Sequence, residues 1–172
     1  MNEPSAEPDW RALADGRPES VAALFDRHGA ALLLVARAIT GSRSDAEDAV
    51  QQTFLDLHRS RHALARAVEP RGYVYRTLRN AALRIRARRR EDALDEVDRD
   101  PEDRDRRPEE HPELERALAR LPAEQREVVA LKVDAELTFA EIGAALGLSP
   151  NTASSRYRYA LERLRDELGG RA

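Results

Sequence analysis

The chain has 172 residues, of which 41% are hydrophobic and 35% are charged, and it contains no cysteine. The lack of cysteine excludes disulfide bonds and thiolate metal sites, and no apolar run is long enough to span a membrane. The composition predicts a helix-rich protein of one medium domain or two small ones. The acidic, proline-containing N-terminus is no signal peptide, so we expect a cytoplasmic protein.

The formal net charge of −3 conceals two blocks of opposite charge. Residues 61–90 contain ten arginines and one acidic residue, whereas residues 91–113 contain twelve acidic residues and four arginines. This asymmetry indicates a basic surface on one element beside a solvated acidic tether. Residues 114–172 are balanced, with nine basic and nine acidic residues, so we expect weak DNA affinity from that part alone.

The first 17 residues contain two prolines, a glycine and several acidic residues, which predicts a flexible leader. Trp10 either docks on the domain that follows or is mobile. From Pro18, apolar residues recur at helical spacing until Thr40, where a glycine follows. His28 lies on the apolar face of this predicted helix, and we interpret it as a packing residue rather than a ligand.

The next helix is predicted to begin at Ser44, which forms a capping box with Glu47. One face of this helix is apolar, and the other is either a protein-docking surface or an ordinary solvated face. His58 and His62 stand four residues apart, but no third ligand has suitable spacing, so we expect no metal and no cofactor. The non-apolar face carries Asp48, Gln51, Gln52, Leu55 and Asp56.

Pro70 breaks the chain, and a helix is predicted over residues 71–90. Arginines alternate with tyrosines along it, and an asparagine adds a side chain that can bond a base edge. Arginines attract phosphates and aromatic rings stack on bases, so this pattern favours binding of single-stranded or locally opened DNA. The alternative is a solvated helix whose arginines interact with the negative end of its dipole.

Residues 91–112 contain three prolines, few apolar residues and many acidic ones, which predicts an acidic flexible linker. A second helical domain is predicted over residues 113–172, with a break at Pro122. The predicted fold is all-α, with two small helical domains joined by the linker, and the C-terminal domain is a four-helix unit with a helix-turn-helix.

The helix-turn-helix is predicted from two capped helices and the turn between them. Thr138 with Glu141 forms a capping box, Gly147 ends the first helix, and Ser149-Pro150 begins the second. The second helix then presents short polar side chains and two arginines, which suit base edges and phosphates. A plain helical hairpin would show the same caps. The polar positions of the second helix are Asn151, Thr152, Ser154, Ser155, Arg156, Arg158 and Tyr159.

Three segments, in this order and at this spacing, resemble a bacterial RNA polymerase sigma factor of the extracytoplasmic-function (ECF) group. DAEDAVQQTFLDLH, from Asp45 to His58, is similar to region 2.2, and PRGYVYRTLRNAALRIRARRR, from Pro70 to Arg90, is similar to regions 2.3 and 2.4. The segment 121–168 is similar to region four. Together they cover about four fifths of the chain, which makes the joint match more specific than any single motif.

The resemblance implies that core RNA polymerase and promoter DNA are the partners. Region 2.2 would dock on the β′ clamp, and region four would contact the β flap and read the −35 element through the polar positions of the second helix. Regions 2.3 and 2.4 would open and read the −10 element. Members of this group are commonly held inactive by an anti-sigma factor, which is therefore expected here. The implied docking residues are Asp45, Asp48, Gln51, Gln52 and Leu55. The implied −10 residues are Tyr73, Tyr75, Arg76, Arg79, Asn80 and Arg84.

The chain departs from the family pattern at three positions. Tyr73 stands where a tryptophan is usual, Arg84 replaces a customary acid, and Ser154 replaces a common basic residue. The sequence contains no catalytic constellation, which indicates that the protein directs an enzyme rather than being one. Two other interpretations are a stand-alone helix-turn-helix regulator and a protein-binding helical adaptor. The first predicts tight duplex binding without polymerase, and the second predicts no salt-sensitive DNA binding.

Overall fold

The computed structural model describes residues 10–95 and 111–169, and this part of the chain contains helices but no strands. A short 3-10 helix over Trp10–Asp15 comes first. The α-helices of the described chain are α1 (Pro18–Thr40), α2 (Arg43–Arg59), α3 (Arg61–Ala65), α4 (Pro70–Asp95), α5 (Pro112–Arg120), α6 (Ala123–Val133), α7 (Phe139–Leu146) and α8 (Pro150–Gly169). The predicted all-α fold is confirmed. Most of the predicted leader and linker, residues 1–9 and 96–110, lies outside the described residues. Within the described residues the predicted bounds differ from the structure, because Trp10–Asp15 of the leader forms the 3-10 helix and α4 continues to Asp95.

Local sequence signals explain how the helix-turn-helix begins and ends its helices. The Thr138 side chain accepts a hydrogen bond from the Glu141 amide (3.2 Å), and the Glu141 carboxylate accepts one from the Thr138 amide (2.7 Å). Gly147 ends α7 with a φ of 70°, a conformation that costs little because glycine has no Cβ. The Ser149 hydroxyl accepts a hydrogen bond from the Thr152 amide (3.1 Å) at the start of α8. The predicted caps are confirmed.

The start of α2 differs from the prediction. The cap is Ser42, whose side chain accepts a hydrogen bond from the Asp45 amide (3.3 Å) while its backbone stays extended. The predicted capping box of Ser44 and Glu47 is therefore wrong, and Glu47 instead pairs with Arg43 at 3.0 Å. Since only two residues separate α1 from α2, the earlier serine is the one that reaches the free amides of the new helix.

Helices α1, α2 and α4 pack together around a common apolar core. Leu32 and Val35 of α1, Val50 of α2 and Leu78 of α4 are all buried in it. The 3-10 helix covers one end of this bundle through Trp10, which is 6% exposed. Of the two alternatives for Trp10, the structure shows docking.

Helices α5, α6 and α8 enclose a second, smaller core. Its buried members are Ala117, Leu121, Val129, Ala160 and Leu164. Apolar spacing along α8 predicts burial of Leu161 and Leu168 together with Leu164, but Leu161 and Leu168 are exposed. That prediction is wrong at these two positions, because the side of α8 that packs against α5 and α6 carries Ala160 and Leu164.

The two helical groups also contact each other. Helix α7 lies against α4, and α6 lies against α1. The larger core therefore continues from Val74 of α4 to Ile142 of α7 without interruption. In this structure the helix-turn-helix is packed directly on the arginine-rich helix.

Candidate nucleic-acid interface

The arginine-rich helix α4 presents only part of its predicted DNA-binding set to solvent. Arg76, Asn80 and Arg84 are exposed, whereas Tyr73 and Arg79 are half-buried. Exposed cations flanking an amide form a surface that can contact phosphates and base edges. Three of the six predicted residues are thus exposed in this arrangement, and Arg84 is exposed while paired with Asp56.

Tyr75 is not on the surface, contrary to the prediction. Its side chain is fully buried, and its ring lies 6.2 Å from that of Trp10. Burial raises the pKa of the Tyr75 hydroxyl well above its ordinary value, so the ring is a neutral core group. The alternation of arginines and tyrosines along α4 predicted an exposed Tyr75. This prediction failed because the residues that cover Tyr75, such as Trp10, come from distant parts of the chain.

Arg79 contacts the second helical group rather than solvent. Its Nε donates a hydrogen bond to Glu127 of α6 at 2.6 Å, and the Glu127 side chain is almost fully buried. Arg71, at the start of α4, similarly donates to the backbone carbonyl of Ala135. Two basic groups of α4 are therefore occupied by the helix-turn-helix unit.

The far end of α4 is connected to the first helical group by its arginines. Arg84 donates to Asp56 of α2 at 2.6 Å, and Arg89 donates to Asp45 of α2 at 2.9 Å. Arg86 donates to the carbonyl of Ile39 at 2.9 Å. These bonds hold α4 across α1 and α2, and they leave the remaining donors of each guanidinium group available.

Helix α8 presents the polar surface that the helix-turn-helix pattern predicted. Asn151, Thr152, Arg158 and Tyr159 are exposed, and the Arg158 guanidinium lies 5.2 Å from the centre of the Tyr159 ring. The first turns of a second helix in this motif are those that enter a DNA major groove.

Three further predicted residues of α8 are partly covered. Ser154 and Ser155 are half-buried. Arg156 is ion-paired with Glu124 of α6 at 2.9 Å, so it stabilises the unit and has less freedom to reach DNA.

The predicted docking face of α2 is accessible except at its first residue. Asp48, Gln51 and Leu55 are exposed, and 55% of the Leu55 surface is accessible. Gln52 is half-buried and donates a hydrogen bond to Asp56 at 2.9 Å. Asp45 is 6% exposed and bound to Arg89, so it orients the helix and is not a free docking carboxylate, contrary to the prediction.

An open apolar groove of about 630 Å³ adjoins this face, between α1 and α2. Phe25 and Phe54 line it, with ring centres 6.0 Å apart, and Leu55 lies at its edge. Helical periodicity places both phenylalanines on the apolar faces of their helices, which predicts burial and not a binding surface. Tertiary packing decided otherwise, since Phe25 is exposed and Phe54 is half-buried. An exposed apolar groove rimmed by polar residues is typical of a protein-binding surface.

The described residues show no cluster of three or more potential metal ligands, and the histidines of the predicted pair, His58 and His62, are both exposed on separate helices. No helix in residues 10–95 or 111–169 is long and apolar enough to cross a bilayer.

Comparisons with known proteins agree with the two helical groups. Residues 24–92 match Sigma-70 region 2, and residues 117–166 match Sigma-70 region 4. The ECF RNA polymerase sigma factor SigE of Mycolicibacterium smegmatis is 33% identical, over 96% of this chain and 70% of the relative. The chain belongs to the ECF sigma factor family.

A second relative supports this assignment, and a solved structure shows the same fold. The sigma factor SigL of Mycobacterium tuberculosis is 31% identical, over 86% of this chain and 89% of the relative. The solved structure of CnrH in complex with the cytosolic domain of CnrY has the same fold, with a TM-score of 0.71 and 24% identity, over 98% of this chain and 100% of that one. As an ECF sigma factor, the protein binds core RNA polymerase and directs promoter-specific initiation of transcription. The comparisons do not favour a stand-alone helix-turn-helix regulator.

Proposed function

We propose that this sigma factor docks on the β′ clamp of core polymerase through the exposed face of α2 and the adjoining groove. Leu55, Phe25 and Phe54 supply apolar contact area, while Gln51 at the groove and the exposed Asp48 on the same helix supply polar contacts. Apolar anchors surrounded by polar groups provide most of the free energy of binding at protein interfaces. Asp45 and Gln52 do not contact the partner directly. Asp45 orients α2 through Arg89, and Gln52 does so through Asp56.

Helix α4 opens and reads the −10 element. Arg76 and Arg84 attract the phosphates of the opened strand, Asn80 bonds a base edge, and the half-buried Tyr73 offers a ring for stacking. Arg79 can join this surface only when its hydrogen bond to Glu127 is broken, and Tyr75 stays in the core beneath Trp10.

Helix α8 reads the −35 element in the major groove. Asn151 and Thr152 lie on its first turn, where side chains meet base edges. Arg158 and Tyr159 lie two turns further, where the Arg158 guanidinium reaches phosphates. Ser154 and Ser155 lie between these groups, and Arg156 helps to hold α8 on α6.

The chain is organised as a leader (residues 1–17), region 2 (18–90), an acidic linker (91–112) and region 4 (113–172). Tethering two weak DNA-binding units raises their combined affinity when a partner holds them at the right separation. Polymerase is that partner. The protein therefore acts in the cytoplasm as a specificity subunit and not as an enzyme, with polymerase carrying out the chemistry.

The CnrH structure contains the cytosolic domain of CnrY, and the solved structure of the sigma factor RpoE from Bartonella quintana, which has the same fold, contains the anti-sigma factor NepR. By extension from these likenesses, this chain has an anti-sigma partner.

The observation that carries the proposal is the presence, in one chain, of two exposed polar faces on α4 and α8 together with an apolar groove beside α2. The test is transcription in vitro by core polymerase from the same organism, with and without the protein, on sheared genomic DNA with start sites mapped. We expect new start sites preceded by a shared two-block sequence. Polymerase binding without new starts would contradict the proposed DNA-reading faces, and neither binding nor new starts would contradict the docking surface as well.

A further inference from the structure

The end of α2 and the short helix α3 carry exposed basic side chains that none of the surfaces described above includes. Residues 57–68 contain no acidic residue, and every basic side chain in this stretch is exposed. Helix α3 exposes only alanines as apolar side chains, since its one leucine, Leu64, is buried. We call this surface the basic corner. Its members are His58, Arg59, Arg61, His62 and Arg66.

The members of the basic corner lie close together. A Cβ atom built on Gly16 would lie 3.6 Å from the ring of His58 and 3.8 Å from the guanidinium of Arg61, so both side chains flank the same point of the backbone. Arg66 ends α3 one turn after His62, which places it on the same side of that helix. The corner therefore concentrates positive charge at one end of the first bundle.

Neighbouring carboxylates do not balance the charge of the corner. Asp15 is paired with Arg17 at 3.0 Å, and Asp56 is bound by Arg84 at 2.6 Å. Within residues 10–95 and 111–169, the side chains of Arg61 and Arg66 form no ion pair. These two guanidinium groups therefore keep all their donors for a partner outside the chain.

Arg59 connects the basic corner to the DNA-reading face of α4. The Asp56 carboxylate lies 3.6 Å from Arg59 and 2.6 Å from Arg84, so the two guanidinium groups flank one carboxylate. Arg84 belongs to the exposed residues of α4, and α3 leads into α4 through residues 66–69. A strand that lies along α4 can therefore continue onto the corner over a carboxylate that two cations already neutralise.

The composition of the corner favours nucleic acid over protein as its partner. Protein interfaces depend on apolar anchors, and the anchors near α2 lie in the groove at Phe25 and Phe54. Guanidinium groups without apolar anchors suit phosphates, which are bound by charge and hydrogen-bond donors alone.

We propose that the basic corner binds the phosphates of the DNA strand beyond the segment that α4 reads, whatever the bases are. Arg61 and Arg66 contact the phosphates directly, and Arg59 bridges the corner to α4. The identity of this strand as the opened −10 strand rests on the proposed function. Affinity for the phosphates, in contrast, is measured on the free chain without polymerase or promoter.

The first measurement is the affinity of the full chain for a fluorescein-labelled, mixed-sequence single strand of about 20 nucleotides, across a series of salt concentrations. The test variant is Arg61→Ala with Arg66→Ala, and Arg61→Lys with Arg66→Lys keeps both charges. Arg37→Ala with Arg163→Ala is the matched control, since it removes two exposed arginines outside the corner. Urea denaturation checks that each variant folds.

Each phosphate contact on a single strand contributes about 0.7 to the slope of log affinity against log salt. We therefore expect the alanine variant to have a slope shallower by about 1.4 and an affinity about tenfold lower at about 0.1 M salt. The lysine variant should keep the parental slope, because an ammonium group also neutralises a phosphate, and the control should be unchanged. An unchanged slope in the alanine variant, or an equal loss in the lysine variant, would overturn the proposal.

The second measurement tests whether one strand lies across both surfaces. We expect each chain to bind one strand of about 20 nucleotides, and we expect Arg76→Ala, added to the alanine variant, to reduce the slope by about a further 0.7. Two strands bound per chain would mean two separate sites and would overturn the continuous path.

Binding to core polymerase distinguishes a nucleic-acid partner from a protein partner. We expect the alanine variant to co-purify with core polymerase as the parent does. Loss of polymerase binding with an unchanged salt slope would overturn the proposal in favour of a protein partner. Absence of promoter-specific starts in vitro, with the slope changes present, would instead count against the proposed function.

Discussion

The carboxylate of Asp56 on α2 accepts a 2.6 Å hydrogen bond from Arg84 on α4. It also accepts one of 2.9 Å from Gln52 on its own helix, so a single carboxylate joins the docking face to the DNA-reading face. Burial raises the pKa of Asp56, but the hydrogen bonds and the charges of Arg84 and Arg59 outweigh burial and hold this pKa below its ordinary value.

We expect Asp56→Asn to lower the free energy of unfolding by about 1 kcal/mol near neutral pH. Because the pKa is lower in the folded state, the contribution of Asp56 is present above its unfolded value of about 3.9 and is lost as the pH falls through the folded value. Urea denaturation of wild type and variant should therefore show a difference that shrinks below about pH 4. A difference independent of pH would contradict this account.

Trp10 packs the 3-10 helix onto the first bundle. The centre of its ring lies 4.6 Å from that of the His28 ring and 5.6 Å from the Arg71 guanidinium. We expect Trp10→Ala to lower the free energy of unfolding by about 3 kcal/mol, since it removes a large buried ring. Urea denaturation measures the change, and Val68→Ala, at a position 88% exposed, should change stability by less than about 0.5 kcal/mol. Equal effects would mean that the segment does not contribute to the core.

The docking surface is tested by Asp48→Arg with Leu55→Arg. We expect this double variant to lose binding to core polymerase by at least about 2 kcal/mol, because it places one cation at the apolar groove and a second on the exposed face of the same helix. Co-purification with polymerase measures the loss. Leu34→Arg is the matched control, since Leu34 is a similarly exposed leucine further along α1. Unchanged co-purification of the double variant would count against the docking surface.

The −10 surface is tested by Arg76→Ala with Asn80→Ala. We expect promoter opening, followed by permanganate reactivity of unpaired thymines, to fall about tenfold or more, since contacts of this kind contribute about 1–3 kcal/mol each. Binding to core polymerase should stay nearly unchanged, because both side chains lie on α4 and not on the docking face. Arg163→Ala on α8 is the control for loss of an exposed arginine. If polymerase binding is lost instead, this face has been assigned to the wrong partner.

Much of the fold follows from interactions within a few residues along the chain. The capping box of Thr138 and Glu141, the left-handed Gly147 and the Ser149 cap were all predicted, because each bond joins residues no more than three or four positions apart. The two helical groups were also predicted, since apolar periodicity reports which face of a helix is buried. The one misplaced cap, at Ser44, arose where two serines compete for the same free amides and the loop length decides.

The exposure of the candidate site residues was decided by tertiary structure. Asp45 and Tyr75 have the sequence context of surface residues, yet Asp45 is covered by Arg89 from 44 positions away, and Tyr75 lies beneath Trp10. Glu127 attracted no notice in the sequence, because its partner Arg79 is 48 positions away on another unit.

The sequence by itself determined the long helices, most of their caps and the family of the chain, because these depend on local bonds and on the order of segments. Only the tertiary structure decided which arginines meet a carboxylate, since the long-range pairing of charges depends on how the helices pack. The pairing of Arg79 with Glu127 belongs to this second class. It exists because α6 packs on α1 and α7 packs on α4, which brings Glu127 within 2.6 Å of Arg79.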